Sequence, residues 1–409
     1  MVHDTLVCLL AGGAGERLYP LTRDRAKPAV PFGGAYRIVD ITLSNCVNSD
    51  LRRIFVVTQY KALSLNRHLR EGWSIMANEL GEFVQVLPPM KRVSESWYQG
   101  TADAVYQNLY SIGSEPCKFV LVLSGDHVYK MDYQLMLKQH KETEADATVG
   151  TIEFDRSEAS RFGVVEVDSA GRITGWQEKP ENPKPSPRNP EKSHVSMGIY
   201  CFNRDVLIEA CLADAEDEDS AHDFGRDVIP RLIGGRRVCS YNFVDENKKE
   251  AQYWRDIGTI DAYYEANMDL VSVAPIFNLY DKEWPLRTYQ RQYPPVKFVF
   301  GQEGRRIGMA VDSIVCMGSI VSGGRVNRSI LSFDVRVNSY SEVESSILFP
   351  HVQIGRHSRI RRTIIDRHVK IPENTEIGYN LDEDRKKYHV TESGIVVVAP
   401  EPRLFEEPE

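Results

Sequence analysis

The sequence predicts an α/β domain with a parallel sheet, followed by a parallel β-helix, and two patterns carry that reading. Short apolar runs at Leu6 to Leu10, Ile54 to Thr58, Phe119 to Leu123 and Ala147 to Thr151 alternate with amphipathic stretches. Strands that alternate with helices pair in parallel. In the last quarter of the chain, Ile314, Leu331, Leu348 and Ile365 lie 17 residues apart. So do Ile320, Val337, Ile354 and Ile371, and Val326, Val343, Ile360 and Ile377. Each 17-residue unit carries three inward aliphatics spaced 6, 5 and 6. That describes a triangular coil with one short strand per face, in which successive coils stack like residues on like.

Between the two patterns, Pro275, Pro285, Pro294 and Pro295 mark a connector, since proline removes a backbone donor and fixes φ. The expected division is 1–273, a connector 274–300, and 301–409 for the β-helix with its C-terminal tail. The proline-rich run Glu181 to Pro190 is expected as an exposed loop for the same reason.

At 409 residues and 42% hydrophobic composition the chain has material for a substantial core. A net charge of -8 argues against a general nucleic-acid binder, which needs a basic surface to displace phosphate counterions. No stretch approaches the ~18 consecutive apolar residues of a membrane span. Seven scattered cysteines with no C-x-x-C pair fit a reducing cytoplasm rather than a disulfide framework or zinc site.

The run Leu10-Ala11-Gly12-Gly13-Ala14-Gly15-Glu16-Arg17-Leu18-Tyr19-Pro20-Leu21-Thr22 directly follows the first strand. Glycines there let backbone N–H groups converge on an anion and adopt the positive φ of a nest. No Gly-Lys-Ser/Thr follows, and Leu18 occupies the place of a third dinucleotide-binding glycine, so neither standard loop applies. Arg17 adds a guanidinium that can grip phosphate oxygens bidentately, and Lys27 offers a second cation. Asp126, after the apolar strand ending Ser124-Gly125, stands at the carboxyl edge where α/β sheets bind ligands. Asp256, in Trp254-Arg255-Asp256-Ile257-Gly258, is a second carboxylate in a compact setting.

These motifs, together with Lys27-Pro28, Ser44-Asn45-Cys46, Trp97-Tyr98-Gln99-Gly100-Thr101, Gly125-Asp126-His127, Trp176-Gln177-Glu178-Lys179-Pro180 and Ser196-Met197-Gly198, resemble the bacterial glucose-1-phosphate adenylyltransferase (ADP-glucose pyrophosphorylase) family. The resemblance covers nearly the whole chain. It implies a Rossmann-like, GT-A-like nucleotidyltransferase domain and a left-handed β-helix. It also implies ATP and α-D-glucose 1-phosphate as substrates, ADP-glucose and diphosphate as products, and Mg²⁺ on Asp126 and Asp256. By the same resemblance Arg17, Lys27 and Asp126 are catalytic. Leu10, Ala11, Gly12, Gly13, Gly15, Gln59, Gly100 and Thr101 meet ATP, with Gly100 allowing close backbone approach to the base. Tyr98, Gly163, Glu178, Lys179 and Ser196 meet glucose 1-phosphate.

Family members are homotetramers answering to anionic metabolites, and Arg25, Arg37 and Arg367 match effector positions. Asp24, Ser114 and the acidic end Leu404 to Glu409 depart from the fructose-bisphosphate-responsive pattern. The phosphate apparatus does not by itself identify base or sugar, so another nucleotide and sugar-phosphate pair is an alternative. A non-catalytic binding subunit is a second, and an acyltransferase using His351, His357 or His368 a third.

Overall fold

The computed structural model describes residues 4–13, 15–90, 97–186, 189–245, 250–251, 253–302 and 306–401. The expected acidic end, Leu404 to Glu409, lies outside them. The chain forms two compact units, one of residues 1–13 and 41–254 and one of 14–40 and 255–409. This grouping differs from the linear division at 273 and 300: the segment 14–40 and residues 255–273 cluster with the β-helix.

The first unit is built on a nine-stranded sheet: β1 (Thr5–Leu10), β2 (Arg53–Val57), β3 (Phe83–Leu87), β4 (Phe119–Ser124), β5 (Ala147–Asp155), β6 (Gly163–Val167), β7 (Ile173–Glu178), β8 (Lys192–Asn203) and β9 (Val238–Asn242). Its main path runs β7-β6-β8-β4-β1-β2-β3, with β5 also on β8 and β9 on β5. The four strands expected from the sequence are all present. β4, β1, β2 and β3 are mutually parallel, and Leu6 to Leu9 are wholly buried, as a central strand covered on both faces must be. The all-parallel expectation fails further along. β8 runs antiparallel to both β4 and β5, and β6 and β7 form a hairpin beside it, so the sheet is mixed. Alternating apolar runs revealed the strands but not that β8 inserts between β4 and β5.

In the second unit, short strands stack in parallel on three faces, as the 17-residue repeat predicts. Leu331, Leu348 and Ile365 form one buried column, Val337, Ile354 and Ile371 a second, and Val326, Val343, Ile360 and Ile377 a third. Each corner is turned by a residue in the left-handed region. Asp334, His351 and His368 share one corner, Tyr340, His357 and Asn374 another, and Arg328, Ser345 and Arg362 the third, with φ between 45° and 65°. Stacking compensates a conformation that β-substituted residues disfavour: His351 lies over His368 with ring centroids 4.7 Å apart, and Tyr340 over His357 at 4.8 Å. The three histidines are thus corner residues of the coil.

The first coil departs from the expected register. Val315, not Ile314, pairs with Leu331, and Val321, not Ile320, pairs with Val337. The first coil is one residue short, the missing position falling between Val321 and Val326, so Ile314 and Ile320 turn outward and Val315 and Val321 take the inner places.

One face was underread. Ile330, Ile347 and Ile364 point away from the coil interior yet are as buried as Leu331, Leu348 and Ile365 beside them. Helix Ile260–Leu270 and the segment 14–40 cover them: Tyr264 Oη donates to the Ser345 carbonyl at 2.6 Å, and the Gly34 backbone packs on Ile330 and Ile314.

Among the described residues, no helix is long and apolar enough to cross a membrane. The seven cysteines are unpaired, and burial pushes the thiols of Cys8 and Cys316 up to about 12, so neither is a nucleophile at neutral pH.

The observed register makes a prediction. Val321→Ala should lower the denaturation midpoint more than Ile320→Ala, and Leu348→Ala should cost about 2–5 kcal/mol, the usual range for emptying a packed leucine site. Equal losses at 320 and 321 in urea titrations would contradict the one-residue shift.

Candidate active site

The expected phosphate loop divides between the units. Leu10, Ala11, Gly12 and Gly13 leave β1 in the first unit, where the Ala11 N–H donates to the Val57 carbonyl at 2.9 Å and Gly12 lies directly against Gln59. Ala14 is outside the described residues. In this loop Gly15 alone among the described glycines has positive φ, 65°, so the expected glycine nest is a single left-handed turn. A side chain at Gly15 would also meet Lys27 Cβ and Thr22 Cγ2, both at 3.0 Å. The Gly15 carbonyl accepts from Thr22 Oγ1 at 2.9 Å and from the Leu18 N–H at 3.0 Å. These bonds fix the short turn Glu16–Leu18 that presents Arg17.

Arg17, Lys27 and Asp256 then converge within the second unit. Lys27 Nζ lies 3.5 Å from Asp256 Oδ1. Gly258 is wedged beneath both neighbours: a Cβ there would be 2.9 Å from Arg17 Nη2 and 3.0 Å from Asp256 Oδ2. Two cations from the N-terminal loop, one exposed and one buried, therefore flank one carboxylate that is 240 positions or so away in sequence. Such a cluster is suited to an anion with several charges, because the guanidinium and ammonium exceed the single carboxylate between them.

In the first unit Asp126 follows β4, where the Gly125 N–H donates to the Leu10 carbonyl at 3.0 Å. Its carboxylate accepts a short bond from Ser124 Oγ and lies 3.5 Å from His127 Nε2. The carboxylates of Asp126 and Asp256 are each about one quarter exposed. Each is a hard oxygen donor of the kind Mg²⁺ takes, and each is accessible enough to meet a hydrated ion.

Three of the sugar-side residues sit on adjacent strands. Gly163 on β6 is paired with Glu178 on β7, and Ser196 lies next along β8. Lys179 follows β7 with φ 43°, its N–H bonded to the Phe162 carbonyl and its Nζ 3.1 Å from Glu178 Oε1. The left-handed conformation turns the chain sharply at the end of the strand, and the Lys179 side chain stays largely exposed.

Tyr98 is less available than expected. Its hydroxyl accepts from Asn108 Nδ2 at 3.0 Å, its ring packs on the core, and burial raises its phenol above the usual range.

Gly100 lacks a side chain where the backbone of residues 221 and 222 comes close. A Cβ there would fall 2.2 Å from the His222 carbonyl oxygen and 2.5 Å from that of Ala221. Thr101 Oγ1 donates to Asp223 Oδ2 at 2.9 Å and accepts the Phe224 N–H at 3.0 Å. His222 and Asp223 were not found by motif reading, because only the fold brings them to helix Thr101–Tyr106. Trp254 was quoted only as the neighbour of Asp256. It is 5% exposed, with its ring against His127, Phe154 and Phe162.

The effector positions separate into two kinds. Arg25 matches an effector position by resemblance and is 3% exposed. Its Nη2 donates to both oxygens of Asp366, at 2.8 and 3.1 Å, and its guanidinium faces the Phe349 ring. Arg25 is therefore held in an internal ion pair with Asp366. Arg367 adjoins this pair, its N–H donating to Asp366 Oδ1 at 2.7 Å. Arg37 and Arg367 are both partly exposed.

A Nucleotidyl transferase family model matches residues 6–273, and a model described as GlmU-like, C-terminal hexapeptide matches residues 294–398. The chain is 66% identical over 407 residues to a glucose-1-phosphate adenylyltransferase of Koribacter versatilis, covering 99% of this chain and 97% of the relative. It is 56% identical to the Rhodopirellula baltica protein of that name, over 98% of this chain and 90% of the relative. A Vibrio cholerae glucose-1-phosphate adenylyltransferase 2 is 52% identical over 99% of each.

Removing one partner of a buried ion pair strands the other, so Asp366→Ala should destabilise the protein by about 3–5 kcal/mol. Calorimetry of the variant checks this, and a loss below about 1 kcal/mol, the surface-pair scale, would show Arg25 to be hydrated in solution.

Proposed function

This chain belongs to the nucleotidyl transferase family and, within it, to the glucose-1-phosphate adenylyltransferases, and from that premise we propose how its residues carry out the transfer. The reaction is ATP plus α-D-glucose 1-phosphate giving ADP-glucose and diphosphate. Residues 1–273 are assigned as the catalytic domain, 274–300 as connector and 301–409 as the β-helix domain. A sugar-phosphate oxygen attacks the α-phosphorus in line with the departing diphosphate. A phosphate monoester has its second pKa near ~6, so the nucleophile is largely anionic at neutral pH and needs no general base. Catalysis is then positioning and charge neutralisation.

The observation that carries this division of labour is the convergence of Arg17 and Lys27 on Asp256. Both cations bear on the charge that grows on the departing diphosphate. Lys179 orients the phosphate of glucose 1-phosphate, and Glu178, Ser196 and the backbone of Gly163, which lies against the Trp176 ring, receive the sugar. The backbone of Leu10 to Gly13, with Gln59, Gly100 and Thr101, receives ATP. Asp126 and Asp256 would hold Mg²⁺, whose chemistry when bound is to neutralise phosphate charge.

ADP-glucose made here would supply glucosyl units for glycogen, an α-glucan. An active homotetramer in the cytoplasm, answering to an anionic metabolite at Arg37 and Arg367, completes the reading. The unpaired cysteines support a reducing compartment.

Diphosphate release from purified protein with each of ATP, UTP, dTTP and GTP tests the assignment, which requires ATP to be preferred. Arg17→Ala should lower kcat by roughly 10²-fold, the scale of one preorganised charge stabiliser, and a near-wild-type kcat would remove Arg17 from that role. Lys179→Ala should chiefly raise KM for glucose 1-phosphate. Asp126→Asn should weaken Mn²⁺ binding measured by calorimetry, without substrate present.

A further inference from the structure

Helix Thr101–Tyr106 begins at Gly100 with no side-chain cap. Its first N–H groups are met by a single atom: the His222 carbonyl accepts from Ala102 at 2.8 Å and from Asp103 at 3.3 Å. His222 delivers that carbonyl from the left-handed region, with φ 55°. A residue with a Cβ stays there only when its surroundings hold it. The holding group is Asp214, which is 2% exposed. Its carboxylate accepts from His222 Nδ1 at 2.9 Å, Ser220 Oγ at 2.7 Å and Arg231 Nη1 at 3.3 Å. Ser220 Oγ in turn accepts the His222 N–H at 3.0 Å.

We propose that His222, locked by Asp214, is a positioning residue for the nucleotide: it sets the place of Gly100 and Thr101 by capping their helix with its own carbonyl. The inference rests on the reading of Gly100 and Thr101 as part of the ATP subsite. The imidazole acts through the backbone. Its bond to Asp214 fixes the backbone twist that aims the carbonyl, and the lack of a side chain at Gly100 lets that carbonyl come close enough to serve both N–H groups. The Thr101 hydroxyl is engaged by Asp223 and the Phe224 N–H in the same turn, so residues 100 and 101 have backbone to offer the nucleotide. That backbone can be only as well placed as the 220–224 turn. A carboxylate with three donors is a rigid support for it, because satisfied buried networks have few alternative arrangements.

The test uses the full chain, with ATP and glucose 1-phosphate varied separately and amide exchange followed with and without ATP. His222→Ala should raise KM for ATP roughly three- to tenfold, the scale of losing a helix cap, while KM for glucose 1-phosphate moves less than about twofold. Exchange at Ala102 and Asp103 should accelerate. Asparagine tolerates the left-handed region and can donate to Asp214, so His222→Asn should recover both readouts. Accelerated exchange with an unchanged KM for ATP would overturn the positioning role, as would a parallel rise in both KM values with a lowered Tm. Failure of ATP to protect any amide from 98 to 103 in the wild-type protein would instead remove the ATP-subsite reading beneath it.

Discussion

The packing of residues 14–40 within the second unit, against helix Ile260–Leu270 and the β-helix, is the interaction on which the placement of Arg17 and Lys27 depends. That segment contains Arg17 and Lys27, yet it folds with a β-helix that the chain completes some 300 residues later. Its attachments are specific. The Gly33 N–H donates to Asn267 Oδ1 at 2.9 Å, Tyr263 Oη donates to the Pro31 carbonyl, and Arg25 pairs with Asp366 in the interior. The buried aliphatics Ile330, Ile347 and Ile364 add apolar surface on the outside of one coil face, and Ile330 lies against Gly34. A buried guanidinium is costly unless paired and hydrogen-bonded, so Arg25 and Asp366 fix which part of the coil the segment can sit on more firmly than they stabilise it.

Two kinds of rigidity meet in this protein. The β-helix obtains its order from repetition, since after the shorter first coil the contacts recur every 17 residues, down to the left-handed corner residues. The sheet unit obtains its order from single events: an antiparallel strand inserted among parallel ones, a glycine that admits a carbonyl at Gly100, and a buried aspartate that satisfies three donors. Repetition suits a scaffold. Single, over-determined contacts suit a site, where one backbone group must stand in one place.

Much of this was legible in the chain. The 17-residue interval gave the coil because stacking forces the same side chain to recur, and the apolar runs gave the strands because burial on both faces leaves no polar positions. Residue types singled out Arg17, Lys27 and Asp256, which the fold brings together. The first-coil register was not legible, because Ile314 and Val315, like Ile320 and Val321, are adjacent aliphatics and a one-residue slip leaves the pattern looking intact.

By itself, then, the sequence determined the two architectures, the residue types of the site and the family they resemble. All of these are written in local spacing or in short contiguous motifs. Only the tertiary structure decided that the loop 14–40 folds with the β-helix, that Arg25 is an internal ion-pair partner, and that Gly100 makes room for His222. Each of those depends on residues far apart in the chain, 341 positions for Arg25 and Asp366 and 122 for Thr101 and Asp223. A charge or a glycine carries no mark of its distant partner. Its meaning is set by what packing brings within hydrogen-bond or van der Waals reach.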